Sequence, residues 1–159
     1  MRPKTMSAEA KITELKLELP PAPKAMGVYK PVLVHNGLAY ISGHGPLQMD
    51  GTLSKGKVGQ SVDQQAGYDA ARQTGLAMLS TLQAHLGSLD KVKRLVKTFG
   101  MVNAVDDFTA HPAVINGFSE LMAEVFGPDN GIAARSAIGV SGLPGEMIVE
   151  VEAIFEVEA

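Results

Sequence analysis

The chain predicts an α+β fold, a mixed β-sheet with two long helices packed on one of its faces. Three observations carry this reading. Segments with a period of two residues bracket two segments of helical period, in the order β-β-(β)-α-β-α-β-β. The strongest turn signal, Asn36-Gly37, lies between two of the extended segments. The two helical segments stop at Gly87 and at Gly127-Pro128, where glycine and proline end helices.

In chain order, Ser7 to Lys16 carries Ala8, Ile12 and Leu15 and reads as a short N-terminal helix. Leu19-Pro20-Pro21-Ala22-Pro23 then forms a stiff extended connector, because proline lacks the donor that a helix or central strand requires. Lys30–His35 and Leu38–Gly43 are strands around the Asn36-Gly37 turn. Asp50-Gly51 marks another turn, with a short strand expected at Thr52–Ser54. A long helix is expected over Val62 to Leu86, capped by Ser61 and ended by Gly87. Its apolar stripe comprises Leu76, Leu79, Leu82 and Leu86 with Ala66, Ala70 and Ala77. Gly67 and Gly75 interrupt that helix at about 1 kcal/mol each relative to alanine, a cost that close packing against the sheet would offset.

Val92–Val105 is expected as a long strand with a bulge at Gly100. Pro112 opens a second helix, with Val114, Ile115, Phe118, Leu121, Met122, Val125 and Phe126 on one stripe. Gly127–Gly131 reads as a loop. Two strands follow, Ala134–Val140 and Ile148–Ile154 with its continuation to Val157, joined by a Gly/Pro turn at Gly142–Gly145. One sheet face is left without helices and must be wet or meet another copy.

The length of 159 residues suits one domain, long enough to bury roughly 68–70% of its unfolded surface. Residues 1–25 read as an extension and connector, residues 26–157 as the core. With 45% hydrophobic and 19% charged residues the composition is globular rather than disordered or fibrous. No apolar run approaches the roughly 18 residues of a membrane span. The basic start, Met1 to Met6, has no apolar stretch behind it and does not read as a signal peptide. The absence of cysteine excludes disulfides and thiolate catalysis. A net charge of −3 argues against a broad nucleic-acid surface, and the basic stretch Lys91–Lys97 alternates as a strand with one wet face does. The expected compartment is the cytoplasm.

General catalytic patterns are missing. There is no H-E-x-x-H, G-x-S-x-G, Walker-type or G-x-G-x-x-G motif. His35, His44, His85 and His111 are scattered without metal-ligand spacing, so no metal site is expected. The C-terminal strands are more informative. Arg135 stands alone on the first, and Glu150, Glu152, Glu156 and Glu158 line one face of the second. A guanidinium that clamps a carboxylate, near a carboxylate that steers a water, makes a small hydrolytic site. On these residues alone the plainer reading, a solvated strand face with a stray ion pair, takes precedence.

The segment ARSAIGV-x-x-LP-x-x-x-x-VEVEAI, Ala134 to Ile154, resembles the C-terminal signature of the Rid family, also called the YjgF or endoribonuclease L-PSP family. Gly27-Val28-Tyr29, and then Tyr40-Ile41-Ser42-Gly43-His44-Gly45-Pro46, resemble its G-x-Y and Y-[IV]-SGQ-x-P stretches. Asp107-Phe108 followed by Ile115-Asn116 is similar to its DF…VN entry to the second helix. These pieces occur in the family's order and span roughly residues 26–157.

The resemblance implies a chorismate-mutase-like fold assembled as a homotrimer, with ligand clefts between subunits. It implies an enamine/imine deaminase that hydrolyses 2-aminoacrylate or 2-iminopropanoate to a 2-oxoacid and ammonia without a cofactor. Arg135 would anchor the substrate carboxylate and Glu150 would position water. Tyr29, Ser42, Gly43 and His44 would line the pocket, and Asn116 would reach across the interface. Two departures stand out: His44 replaces the family's glutamine, and Ala137 stands where many members have cysteine. The alternatives are a non-catalytic binder or regulator of small carboxylates, and the endoribonuclease or translation-inhibitor activity of the family's name. Acidic charge and few aromatics disfavour the last.

Overall fold

The computed structural model describes residues 6–158. The basic tail ahead of Met6 lies outside them. Helix α1 (Ala8–Glu14) starts at Ser7, whose Oγ accepts from the Ala10 amide at 3.1 Å. The proline connector takes no regular structure and is pinned where Ser80 Oγ donates to the Pro20 carbonyl at 2.6 Å. Strands β1 (Val32–His35) and β2 (Leu38–His44) form the expected hairpin. Asn36 at φ 51° and Gly37 at φ 76° give the two positive angles a type I′ turn needs.

Helix α2 (Gln64–Leu86) is capped by Asp63, whose carboxylate accepts from the Ala66 amide at 2.8 Å. Ser61, the expected cap, instead accepts from the Lys57 amide. The strand expected at Thr52–Ser54 reduces to an isolated bridge between Leu47 and Leu53. Strand β3 (Val92–Asn103) leads to helix α3 (His111–Phe126). A single helical turn, α4 (Pro128–Gly131), takes the place of the expected loop. Strands β4 (Ala134–Val140) and β5 (Val149–Val157) complete the chain.

The sheet order is β1-β2-β5-β3-β4, with β3 and β4 parallel and every other pair antiparallel. The last two strands are consecutive in sequence but not neighbours, because β3 lies between them. A parallel pair needs a crossover, and α3 supplies it for β3 and β4. No bulge occurs at Gly100: the pairing of β3 with β5 runs without a break from Lys97 to Val102. Gly100 serves close approach instead, since a Cβ there would sit 2.6 Å from Ile115 of α3. The shift that matters is in β2, between Ile41 and His44.

Helices α2 and α3 pack against each other and against the sheet, burying Phe118, Met78, Leu79, Leu82 and Ile115 against Phe155, Val102 and Val151. Each such side chain contributes about 1.5–3 kcal/mol. The close packing expected of Gly75 in α2 is against α3 rather than the sheet: a Cβ there would meet Leu121 of α3 at 2.7 Å. Among the described residues the opposite sheet face carries no helix. It presents Leu33, Tyr40, Lys97, Phe99 and Ile154 around an open groove of about 670 Å³. No helix among the described residues is long and apolar enough to cross a membrane.

Candidate active site

Two groups of functional side chains emerge, one on each side of the sheet. The first forms where β2 loses register with β5. Ser42 stays tied to the segment before β1, its amide donating to the Pro31 carbonyl at 3.0 Å and its Oγ to the Lys30 carbonyl at 2.6 Å. Gly43 lies directly against Glu150: a Cβ there would fall 2.7 Å from Glu150 Oε1. Only glycine allows the carboxylate to rest on this backbone. Burial, and secondarily the charge of Glu152, pushes the half-buried Glu150 carboxyl above its ordinary value. Tyr29, half-exposed in the segment leading to Lys30, accepts from the Met26 amide through its hydroxyl at 3.1 Å.

His44 does not join Gly43 on this face. The residue is 5% exposed and its ring is turned toward α2, with Nε2 2.8 Å from Thr81 Oγ1 and Nδ1 2.6 Å from the Ser42 carbonyl. Burial lowers its pKa against the opposing effect of the Ser42 contact. The pocket-lining role expected of it is therefore not its position within one chain; the register shift in β2 turned it inward.

The second group is built on the edge strand β4 and the first turns of α3. Arg135 donates through Nη1 to Asn116 Oδ1 at 2.8 Å and to Ser119 Oγ at 3.1 Å, with Nη2 3.5 Å from the Pro112 carbonyl. All three acceptors are neutral. Among the described residues Arg135 has no carboxylate within ion-pair distance. Asn116, expected to act across an interface, here orients the arginine of its own chain. Ser119 is a site residue that the sequence reading missed; its signal was the i, i+3 spacing from Asn116, which places both on one face of α3. His111 lies across the same strand, filling the space a Cβ at Gly139 would take, and stacks edge-on with Phe108 at 5.3 Å.

The two groups do not meet within one chain. Arg135 pairs with Thr98 and so shares the helix-covered face with it, whereas Glu150 pairs with Met101 and shares the open face. Two strand spacings and three residues of offset put their Cα atoms about 14 Å apart. One chain thus carries a cationic group able to receive an anion on one side and a half-buried carboxylate on the other. Among the described residues no cluster of three or more His, Asp or Glu is placed to hold a metal.

Comparison with known proteins agrees with this architecture. Residues 9–151 match the family described as "YjgF/chorismate_mutase-like, putative endoribonuclease". Protein TCP17 of Trypanosoma cruzi is 37% identical over 147 residues, covering 92% of each chain. The "Putative regulator AldR" of Lactococcus lactis is 32% identical over 139 residues, covering 87% of this chain and 94% of its own. Among solved structures, Atu1372 of Agrobacterium tumefaciens, a protein with unknown function, superposes with TM-score 0.87 at 35% identity over 95% of this chain and 92% of that one. YyfA of Yersinia pestis, of the Rid protein family, gives TM-score 0.61 at 27% identity over 89% of this chain and 97% of that one.

Proposed function

Since the chain belongs to the YjgF/chorismate-mutase-like family that includes the Rid proteins, we propose that it is a cytoplasmic, cofactor-independent enamine/imine deaminase working as a homotrimer. The observation that carries this reading is the guanidinium of Arg135, held by neutral acceptors and left without a counter-charge among the described residues. A 2-imino acid brings the missing carboxylate. Its two oxygens take parallel N–H···O bonds, each worth about 1.5–3 kcal/mol when water is excluded.

Glu150 supplies the second function. As a carboxylate it accepts a proton from a water, whose oxygen bonds to the imine carbon while the C=N electron pair goes to nitrogen, which takes that proton back from Glu150. The resulting carbinolamine passes its hydroxyl proton to nitrogen by way of Glu150, and the C–N bond breaks to release ammonia and leave the 2-oxoacid. A raised pKa brings the base closer to working pH, where general-base help is most effective, typically by about 10²–10⁴-fold. Ser42, Gly43 and Tyr29 border the same side. An enamine enters the scheme by tautomerising to the imine.

Arg135 and Glu150 sit on opposite faces of their own sheet, so a single small substrate reaches both only where two chains meet. This supports subunit-interface sites, with the uncovered sheet face turned toward neighbouring copies. The test is an imine generated in situ by an amino-acid oxidase. Wild type should hasten its loss and Arg135→Ala should not; equal rates with both proteins and with buffer would refute the assignment. The similarity to a protein named as a regulator favours a second reading, a non-catalytic carboxylate receptor using the same arginine. A 2-oxoacid that raises Tm through Arg135, with no imine turnover, would establish it.

A further inference from the structure

His44 is spent inside the protein in a way that the proposed chemistry does not use. The carbonyl of Ser42 offers only lone pairs, so the Nδ1 that lies 2.6 Å from it must carry the proton. Nε2 of the neutral ring is then an acceptor, and Thr81 Oγ1 at 2.8 Å must be its donor. Buried threonines of α2 have another option. Thr74, two turns earlier, donates to the Ala70 carbonyl at 2.8 Å, the usual back-bond of a helical threonine. Thr81 forgoes that bond and gives its hydroxyl to the imidazole.

The ring therefore joins two elements with fixed polarity, from Thr81 on α2 through the imidazole to the Ser42 carbonyl. It does so where β2 slips register against β5, between Ile41 and His44. At that slip Gly43 lies in contact with the Glu150 carboxylate, next to Ser42, which is tied to Lys30 and Pro31. We infer that His44 is a positioning residue: locked as the Nδ1–H tautomer between Thr81 and Ser42, it holds the β2 bulge that seats Glu150. Neither bond touches the carboxylate or the substrate, so the effect reaches the site only through the backbone of Ser42 and Gly43. The inference rests on the proposed deaminase for its kinetic consequence alone; the bulge and its tether stand apart from any activity.

The experiment has a spectroscopic arm and a kinetic arm. In the intact protein labelled with ¹⁵N-histidine, the His44 ring should show a protonated Nδ1 and an unprotonated, hydrogen-bonded Nε2. Thr81→Val, which removes only the hydroxyl, should move the Nε2 resonance. It should also speed exchange of the Ser42 amide, now bonded to Pro31, about tenfold. Exchange of the Val157 amide, bonded to Gly37 away from the bulge, should stay unchanged and so exclude a general loss of stability. His44→Asn retains an N–H near the Nδ1 position and should slow Ser42 exchange relative to His44→Ala. With an imine substrate, Thr81→Val should lower kcat several-fold and leave KM unaltered, since Arg135 is untouched.

An Nε2–H tautomer, or Ser42 exchange indifferent to Thr81→Val and His44→Ala alike, would overturn the positioning role even in an active deaminase. Conversely, the expected tautomer and exchange pattern in a protein without turnover would uphold the tether and refute the deaminase.

Discussion

The Arg135 and Glu150 regions use opposite strategies to prepare a charge. Arg135 is satisfied in part by three neutral acceptors from α3, so its orientation is set and its charge is left over. Glu150 is set by steric contact with Gly43 and by burial, so its charge is discouraged rather than stored. A receptor for an anion benefits from the first arrangement, because the cation needs no reorganisation when the ligand arrives. A base benefits from the second, because burial lifts its proton affinity toward working pH.

Substitutions should separate the two regions. Removing the receptor has the largest expected effect: Arg135→Ala should reduce kcat/KM by about 10³-fold or more, while circular dichroism and Tm stay near wild type. Glu150→Gln keeps the shape and removes the base, and should cost about 10²–10⁴-fold in kcat with little change in KM. Asn116→Ala frees the guanidinium without discharging it, so KM should rise about tenfold with kcat less affected. Gly43→Ala should act in the reverse sense, displacing the carboxylate and lowering kcat about tenfold at constant KM. Steady-state kinetics on one imine would check all four; a KM effect from Gly43→Ala alone would break the division.

The pH dependence sharpens the contrast further. In the proposed reaction Glu150 works as a carboxylate, and its pKa lies above the ordinary 4.5, so the acid limb of activity should fall above that value. Glu152→Gln removes the lesser, like-charge cause and should move the limb to lower pH. Stability has opposite signs for the two perturbed groups flanking the bulge. A raised carboxyl pKa means the folded state takes its proton first, so stability grows as pH falls through the folded value toward 4.5. A lowered histidine pKa means the unfolded state takes its proton first. His44 should therefore cost at most about 1.4 kcal/mol per pH unit as pH falls below 6.5, and cease to do so below its folded value. Chemical denaturation of wild type and His44→Asn between pH 7 and 5 would show the difference.

What the sequence made legible was mostly local. The hairpin at Asn36-Gly37, the two long helices and the strand carrying Arg135 are written in turn chemistry and periodicity. Long-range pairing is not. Arg135 and Glu150 read as neighbours because their strands are consecutive, yet β3 inserts between them and the parity of its register sends them to opposite faces. The cap of α2 was placed two residues early, at Ser61, because a serine suits the role, whereas the backbone path puts Asp63 there. Gly100 looked like a bulge because strand glycines often are, whereas its real constraint is a side chain of α3. His44 was misdirected for the same kind of reason: a one-residue slip in β2 reverses which face a side chain takes.

The separation of Arg135 from Glu150 leads to the most direct measurement, a complementation experiment. Arg135→Ala and Glu150→Gln chains, each inactive alone, are denatured together, refolded at equal ratio and assayed with an imine. If each site joins the arginine of one copy to the glutamate of the next, random assembly should restore about a quarter of wild-type activity. A chain bearing both substitutions, mixed with either single variant, should restore none. Mixed assemblies of the two single variants that stay as inactive as their parents would contradict a site shared between chains.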